Sequence, residues 1–275
     1  MAPARTLNHP FAAFADELAD AAGRAIMPFY RRPLCIDDKS AGGRTAGAVF
    51  DPVTAADREA EAAIRILIER HFPQHGIIGE EFGIVRADAE HVWVIDPVDG
   101  TRAFISGIPT WGTLIGLLHQ GQPVFGVLDQ PHLGERFAGT MTSAWRRHHN
   151  GEAQLQSRKG VALGDAMIWA SSTITGKPEL FAATQRLAGH VRMLRYGSDC
   201  IAMAMLAEGH IDAVIETGLD IYDIAAQVPI VTGAGGVITA LDGTNPLAAH
   251  AILAAGDRTL HTAISAMLHG KDSHQ

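Results

Sequence analysis

Between Pro10 and Arg32 the apolar residues Phe11, Phe14, Leu18, Ala22, Ile26 and Phe29 recur every three or four positions. That spacing predicts one buried face of a helix, which Pro33 ends. A second helix is predicted over Ala55–Phe72, where Ala60, Ala63, Ile64, Leu67 and Ile68 keep the same period. Thr54 is placed to cap it, and Pro73 to stop it. Between the two, residues 39–50 are rich in Gly, Ala, Ser and Thr without a period, the pattern of a loop or loose hairpin.

Short apolar runs follow at Gly76–Ile78, His91–Ile95, Thr113–His119 and Pro123–Asp129, separated by Gly and Pro. Strands in succession without helices between them predict an antiparallel or mixed sheet. After about Trp145 the pattern alternates. Strands are predicted at Met167–Ser171, Val191–Arg195, Ala213–Glu216, Gly233–Ala240 and His250–Ala254, and helices at Pro178–Leu187, Ile201–Ala207, Tyr222–Thr232 and Thr259–His269. The fold class is therefore α/β in the broad sense (α+β), with two closely packed lobes: residues 1–145 around a mixed sheet, and residues 146–275 as an α/β half.

The chain has 275 residues, enough for one large domain or two smaller ones, and its 47% apolar and 19% charged residues are those of a folded globular protein. Its formal charge of −8 is dispersed, with no basic stripe, which argues against nucleic acid as a partner. Such a protein can bring a phosphorylated substrate close only with cations in between. Cys35 and Cys200 show no metal-knuckle spacing and suggest a reducing, cytoplasmic setting. The first residues lack a signal-peptide pattern, and no apolar run is long enough for a membrane span. The fourteen histidines are scattered, and none is assigned to a metal.

Chemistry concentrates at three acidic sites, each at the end of an apolar element. The strand leading through Trp93-Val94-Ile95 runs into Asp96-Pro97-Val98-Asp99-Gly100-Thr101, Gly76-Ile77-Ile78-Gly79 ends in Glu80-Glu81, and Asp220-Ile221-Tyr222-Asp223 opens a helix. Asp-Pro-Val-Asp-Gly alone is equally the composition of a surface turn. Three such ends together suggest hard oxygen ligands for cations such as Mg²⁺, because converging carboxylates repel unless cations lie between them.

With Gly79-Glu80-Glu81, Asp96-Pro97-Val98-Asp99-Gly100-Thr101, and Tyr222-Asp223-Ile224-Ala225-Ala226 before Gly235-Gly236, nearly the whole chain resembles the inositol monophosphatase family. The resemblance implies a layered αβαβα fold, a Mg²⁺-dependent, Li⁺-sensitive phosphomonoesterase with two or three Mg²⁺ ions per site, and a homodimer. It implies Glu80, Asp96 and the Val98 carbonyl as ligands of the activating metal, and Asp96, Asp99 and Asp223 as ligands of the second. Glu80 and Thr101 would orient the attacking water. Asp51, in Asp51-Pro52-Val53-Thr54, would stand near the metals. The amides of Gly100 and Thr101 would receive the phosphate.

Within the family, Thr101–Leu117 and Tyr196-Gly197-Ser198-Asp199-Cys200 are most similar to the histidinol-phosphate phosphatase branch, as is Tyr222 where other members have Trp. Histidinol phosphate carries an ammonium group, and Asp199 supplies an anion to bind it. Glu81, Asp99, Arg195, Glu216 and Asp223 complete the expected substrate contacts. The implied reaction is L-histidinol phosphate plus water to L-histidinol and phosphate, in histidine biosynthesis. Alternatives are an inositol-1-phosphatase, a broader sugar or nucleotide phosphatase of the same family, and a metal-dependent binding protein without turnover.

Overall fold

The computed structural model describes residues 9–38, 52–171 and 176–270. The predicted loop over 39–50 and Asp51 lie outside the described residues. Helix α1 spans Ala12–Ile26 and buries Ala15, Leu18, Ala19, Ala22 and Ile26, the stripe the spacing marked out. Two short strands, β1 (Asp37–Asp38) and β2 (Pro52–Val53), pair antiparallel ahead of α2 (Ala55–His71). Thr54 caps α2 in a reciprocal box: its hydroxyl accepts from Ala56 N, and its own N–H donates to Asp57 at 2.9 Å.

The first sheet comprises β3 (Gly76–Gly79), β4 (Gly83–Val85), β5 (His91–Asp99), β6 (Gly112–His119), β7 (Gln122–Gln130), β8 (Glu135–Thr140), β9 (Ala144–His148) and β10 (Gly151–Gln154), with a short helix α3 (Thr101–Ile105) after β5. Its order is β10-β9-β8-β7-β6-β5-β3-β4. It is mixed, because β3 runs parallel to β5 while the other pairings are antiparallel. Sequence periodicity missed β8, β9 and β10, whose Arg, Glu and His residues interrupt any apolar alternation. Cross-strand charge pairs such as Arg136 with Asp129 at 2.8 Å hold them instead. This sheet runs to Gln154, and the second begins at Met167.

The second half contains β11 (Met167–Ala170), α4 (Pro178–Ala188), β12 (Met193–Tyr196), α5 (Ile201–Ala207), β13 (Ala213–Thr217), α6 (Ile221–Ile224), α7 (Gln227–Gly233), β14 (Val237–Ala240), β15 (Ala251–Ala255) and α8 (Arg258–Leu268). Its sheet, ordered β12-β11-β13-β15-β14, is parallel on the β12-β11-β13 side and antiparallel on the other. The single helix expected over Tyr222–Thr232 is two. Pro229 has no N–H to donate to the carbonyl of Ala225, so the ladder breaks between α6 and α7.

Four apolar interfaces stack these elements into αβαβα layers. α1 and α2 pack on one face of the first sheet through Leu18, Ile64, Trp93 and Phe125. Its other face meets α5 and α7 through Leu114, Phe137, Ala204 and Ile230. The same helices cover the second sheet with Met203, Val214 and Val231, and α4 and α8 close its far side with Leu187, Leu260 and Ile264.

A row of glycines across the first sheet sets how close the middle layer comes. Gly116, Gly126 and Gly139 are cross-strand neighbours on β6, β7 and β8. A Cβ on Gly116 would stand 2.9 Å from Ala225, and one on Gly139 2.6 Å from the Ile230 Cα. The α6–α7 backbone therefore lies directly on the sheet, which carries Asp223 down to the strand bearing Asp96.

Candidate active site

Strand β5 does not stop before the acidic motif, as the sequence reading had it, but continues through Asp96 to Asp99. In regular strand geometry residues three apart face opposite sides. Here the pairing with β6 shifts register between Asp96 and Asp99, a bulge at Pro97–Val98 that turns both carboxylates to one side. Thr113 Oγ1 donates to the Pro97 carbonyl at 2.8 Å, and Val98 N donates to Asp96 Oδ1 at 3.0 Å, so the bulge is held from both strands. Gly100 then takes φ +81°, a left-handed conformation, and starts α3.

Asp223 arrives from the other layer. Asp220 caps α6, and its N–H donates to Asp223 Oδ2 at 2.6 Å in a capping box, which fixes the carboxylate's direction. Ligand oxygens of Asp96, Asp99 and Asp223 then lie within 4.8 Å of one another. Glu80 stands beside this trio, with its side chain and that of Asp223 both in hydrogen-bonding reach of Asp96. Bonds between carboxylates require a shared proton when no cation is present.

The electrostatics agree. Burial, then the neighbouring Glu80, Asp99 and Asp223, pushes the Asp96 carboxyl well above the ordinary range. Burial and the nearby Asp199 raise Asp99 to about 7, against the bond it accepts from Cys200 N. Burial and Asp99 raise Asp223 as well. A set of oxygen donors that cannot all ionise together is one that divalent cations fit, since each cation replaces protons and relieves the repulsion.

Beside the trio opens a cavity of about 280 Å³ lined by Asp99, Gly100, Thr101, Asp199, Glu216 and Asp223, among others. Arg102 is the only basic side chain among the described residues lining it. Asp199 sits at φ +47° and accepts from Thr110 Oγ1 at 2.6 Å, which aims the carboxylate. Burial raises its pKa, and the Thr110 bond and Arg102 lower it. Glu216 is only 6% exposed, and burial followed by the charges of Asp99, Asp223 and Asp199 drives its pKa well up.

Two expected residues lie elsewhere. Arg195 does not line the cavity. It pairs across β11 and β12 with Trp169, and its guanidinium lies 4.6 Å from the centre of that ring, a cation–π contact that holds it away from the substrate space. Glu81 also does not line the cavity, and its N–H donates to Glu61 Oε2 at 2.7 Å. Thr101 Oγ1 donates to the Val98 carbonyl at 3.1 Å, linking two expected site residues directly.

Sequence reasoning missed the residues behind the site. Asp57 and Glu61 were not singled out, Thr110 entered only through the Thr101–Leu117 resemblance and not as a site residue, and the N–H of Cys200 that donates to Asp99 at 2.7 Å was not foreseen. A signal for two of them existed. Asp57 and Glu61 fall one turn apart within the apolar stripe of α2, and both are buried with Ala60 and Ile64. Acidic residues in a buried stripe need a partner.

A layered αβαβα fold whose seam gathers carboxylates beside an open cavity offers hard oxygen donors for divalent cations next to room for a small substrate. Residues 7–272 match the inositol monophosphatase family, and the chain belongs to that family. The chain is similar to the bifunctional phosphatase IMPL2, chloroplastic, of Arabidopsis thaliana, with 39% identity over 91% of this chain and 72% of that protein. It is also similar to the histidinol-phosphatase of Mycobacterium tuberculosis, with 34% identity over 70% of this chain and 75% of the relative. Among solved structures, an inositol monophosphatase from Zymomonas mobilis superposes with a TM-score of 0.81 at 36% identity, covering 95% of this chain and all of that one. No helix among the described residues is long and apolar enough to cross a membrane.

Proposed function

We propose that this phosphatase hydrolyses L-histidinol phosphate to L-histidinol and phosphate, a step of histidine biosynthesis, with Mg²⁺ as its metal. The observation that carries the reading is the acidity of the cavity beyond the metal ligands. The half-buried Asp199 and the buried Glu216 add two carboxyls to Asp99 and Asp223. Such a wall is stable against a cation, and the substrate's ammonium group is one.

Glu80, Asp96, Asp99, Asp223 and the Val98 carbonyl would hold the metal. Bound there, a divalent cation supplies charge against the phosphoryl oxygens and makes water more acidic. The chain's own residues do the positioning. The first N–H groups of α3, at Gly100 and Thr101, have no partner within the helix and are suited to receive phosphate oxygens. Thr101 Oγ1 donates a hydrogen bond to Val98 O, which leaves its lone pairs to accept from the attacking water, and Glu80 would accept from the same water on the other side. Asp199, aimed by Thr110, binds the ammonium, and Glu216 takes the polar end of the imidazole. The reading includes a cytoplasmic homodimer, for which light scattering is the direct measurement.

Inositol 1-phosphate is the second reading, favoured by the likeness to the Zymomonas mobilis enzyme. Comparing kcat/KM for the two substrates separates them. Histidinol phosphate should be preferred, and Asp199→Asn should remove most of that preference by lowering the histidinol phosphate value at least about tenfold, as expected when an ammonium loses its charged partner. A wild-type preference for inositol 1-phosphate rejects the proposal. EDTA and Asp96→Asn should each abolish phosphate release, which a binding protein without turnover would not show at all.

A further inference from the structure

Glu61 lies at the centre of α2 with no exposed side-chain surface, outside the cavity and outside the carboxylate trio. Both of its oxygens are occupied. Oε1 accepts from Arg65 Nε at 2.7 Å and from Phe82 N at 3.2 Å, and Oε2 accepts from Glu81 N at 2.7 Å. Arg65 continues the same contact, its terminal amine bonding the Gly83 carbonyl. Gly79 leaves the space: a Cβ there would collide with the Glu61 carboxylate. On the other side of this turn, Glu80 N donates to the Ile95 carbonyl at 3.2 Å, one residue before Asp96.

Glu80 is thus clamped at two points. Its own N–H is tied to β5, and the next two N–H groups are tied to a buried carboxylate on a helix. We infer that Glu61 is a positioning residue for the metal site: it sets the direction in which Glu80 presents its carboxylate to the cations. The inference rests on the proposed metal role of Glu80. An interior acid held by a half-buried arginine costs desolvation that an apolar pair would avoid, and its bonds to two consecutive peptide N–H groups are what the turn gains in return.

Replacing Glu61 by Gln keeps the volume but leaves one acceptor oxygen for three donors and aims an amide N–H at a peptide N–H. The turn should loosen without collapse of the helix. Mn²⁺ binding to the purified protein, followed by the paramagnetic resonance signal of free Mn²⁺, reads the effect without turnover. Glu61→Gln should weaken Mn²⁺ binding about tenfold and raise the half-activating Mg²⁺ by a similar factor, with substrate KM at saturating Mg²⁺ within about twofold, in line with other residues that orient metal ligands. Arg65→Lys, which keeps the charge and loses the arm to Gly83, should give a smaller shift in the same direction, and it carries the test if Glu61→Gln does not fold. Unchanged Mn²⁺ binding in the folded variant, while Asp96→Asn loses it, overturns the role of Glu61 alone. Equal binding by wild type and Asp96→Asn would instead remove the metal reading and this inference with it.

Discussion

Asp99 Oδ2 accepts the backbone N–H of Cys200 at 2.7 Å, a bond between residues 101 positions apart in the chain. It joins the bulged end of β5 in the first sheet to the start of α5 in the middle layer, so one carboxylate is both a proposed metal ligand and a tie between layers. Asp99→Asn keeps an oxygen for Cys200 and removes the charge. It should lower kcat by about 100-fold or more, because a cation loses an ionic ligand worth several kcal/mol, while the thermal stability of the metal-free protein does not fall. Asp99→Ala should do the same to activity and also cost about 1–2 kcal/mol in urea unfolding, because the N–H loses its acceptor. Equal stability in the two variants would show that the bond is not a tie.

Gly100 carries a second constraint. At φ +81° a side chain is strained, and a Cβ would stand 2.8 Å from the Asp199 Cβ. Gly100→Ala should therefore destabilise by about 1–2 kcal/mol from backbone strain alone. Because Asp199 must also shift, kcat/KM for histidinol phosphate should fall further than for a small neutral phosphomonoester. A uniform fall across substrates would mean that Asp199 is not what the new methyl displaces.

How much of this was legible beforehand follows from where each signal is stored. Helices α1 and α2 were readable because their apolar residues keep one period, and Thr54 and Pro73 mark the ends of α2, but α1 stops at Ile26, well before the Pro33 expected to end it, and turns fill the interval. The carboxylate trio and the neighbouring Glu80 were readable as three acidic ends of apolar elements. Their convergence was expected, but the means of it was not, because it depends on a register shift at Pro97–Val98 and on a cross-strand row of glycines, features of pairing rather than of local sequence. The contact of Arg195 with Trp169 was not legible for the same reason, since it depends on the pairing of β12 with β11. Thr110 was visible only as part of the Thr101–Leu117 resemblance, and its role in aiming Asp199 was not, since that partner is 89 residues away.

That partnership gives a substrate-specific prediction. Thr110→Val replaces the hydroxyl with a methyl of similar size and leaves the Asp199 carboxylate without its donor. KM for histidinol phosphate should rise about tenfold, the scale of a hydrogen bond to a charged group, with kcat nearly unchanged. Thr110→Ser should restore it. Equal changes in KM for inositol 1-phosphate would show that the Thr110–Asp199 pair does not select the ammonium.

The crowded carboxyls also predict how the metal-free protein responds to pH. Asp96, Asp99, Asp223 and Glu216 all have folded pKa values above their ordinary ones, Asp99 at about 7 against 3.8. Between those limits the folded chain holds more protons than the unfolded chain, so its stability must fall as pH rises through the window. The contribution is complete below the unfolded value and lost above the folded one. The buried His261 and the half-buried His9 and His75 act in the opposite sense, because desolvation lowers their pKa values and unfolding takes up protons. They lie away from the carboxylate trio, so they contribute equally with and without metal. The difference between melting temperatures in Mg²⁺ and in EDTA therefore isolates the carboxyls. It should be small near pH 5, where protons already neutralise the site, and should widen steadily toward pH 8, where only cations can. In Asp99→Asn the widening should shrink, because one of the carboxyls that titrates in this window is gone. A difference independent of pH would mean that the carboxylates are not the groups Mg²⁺ discharges.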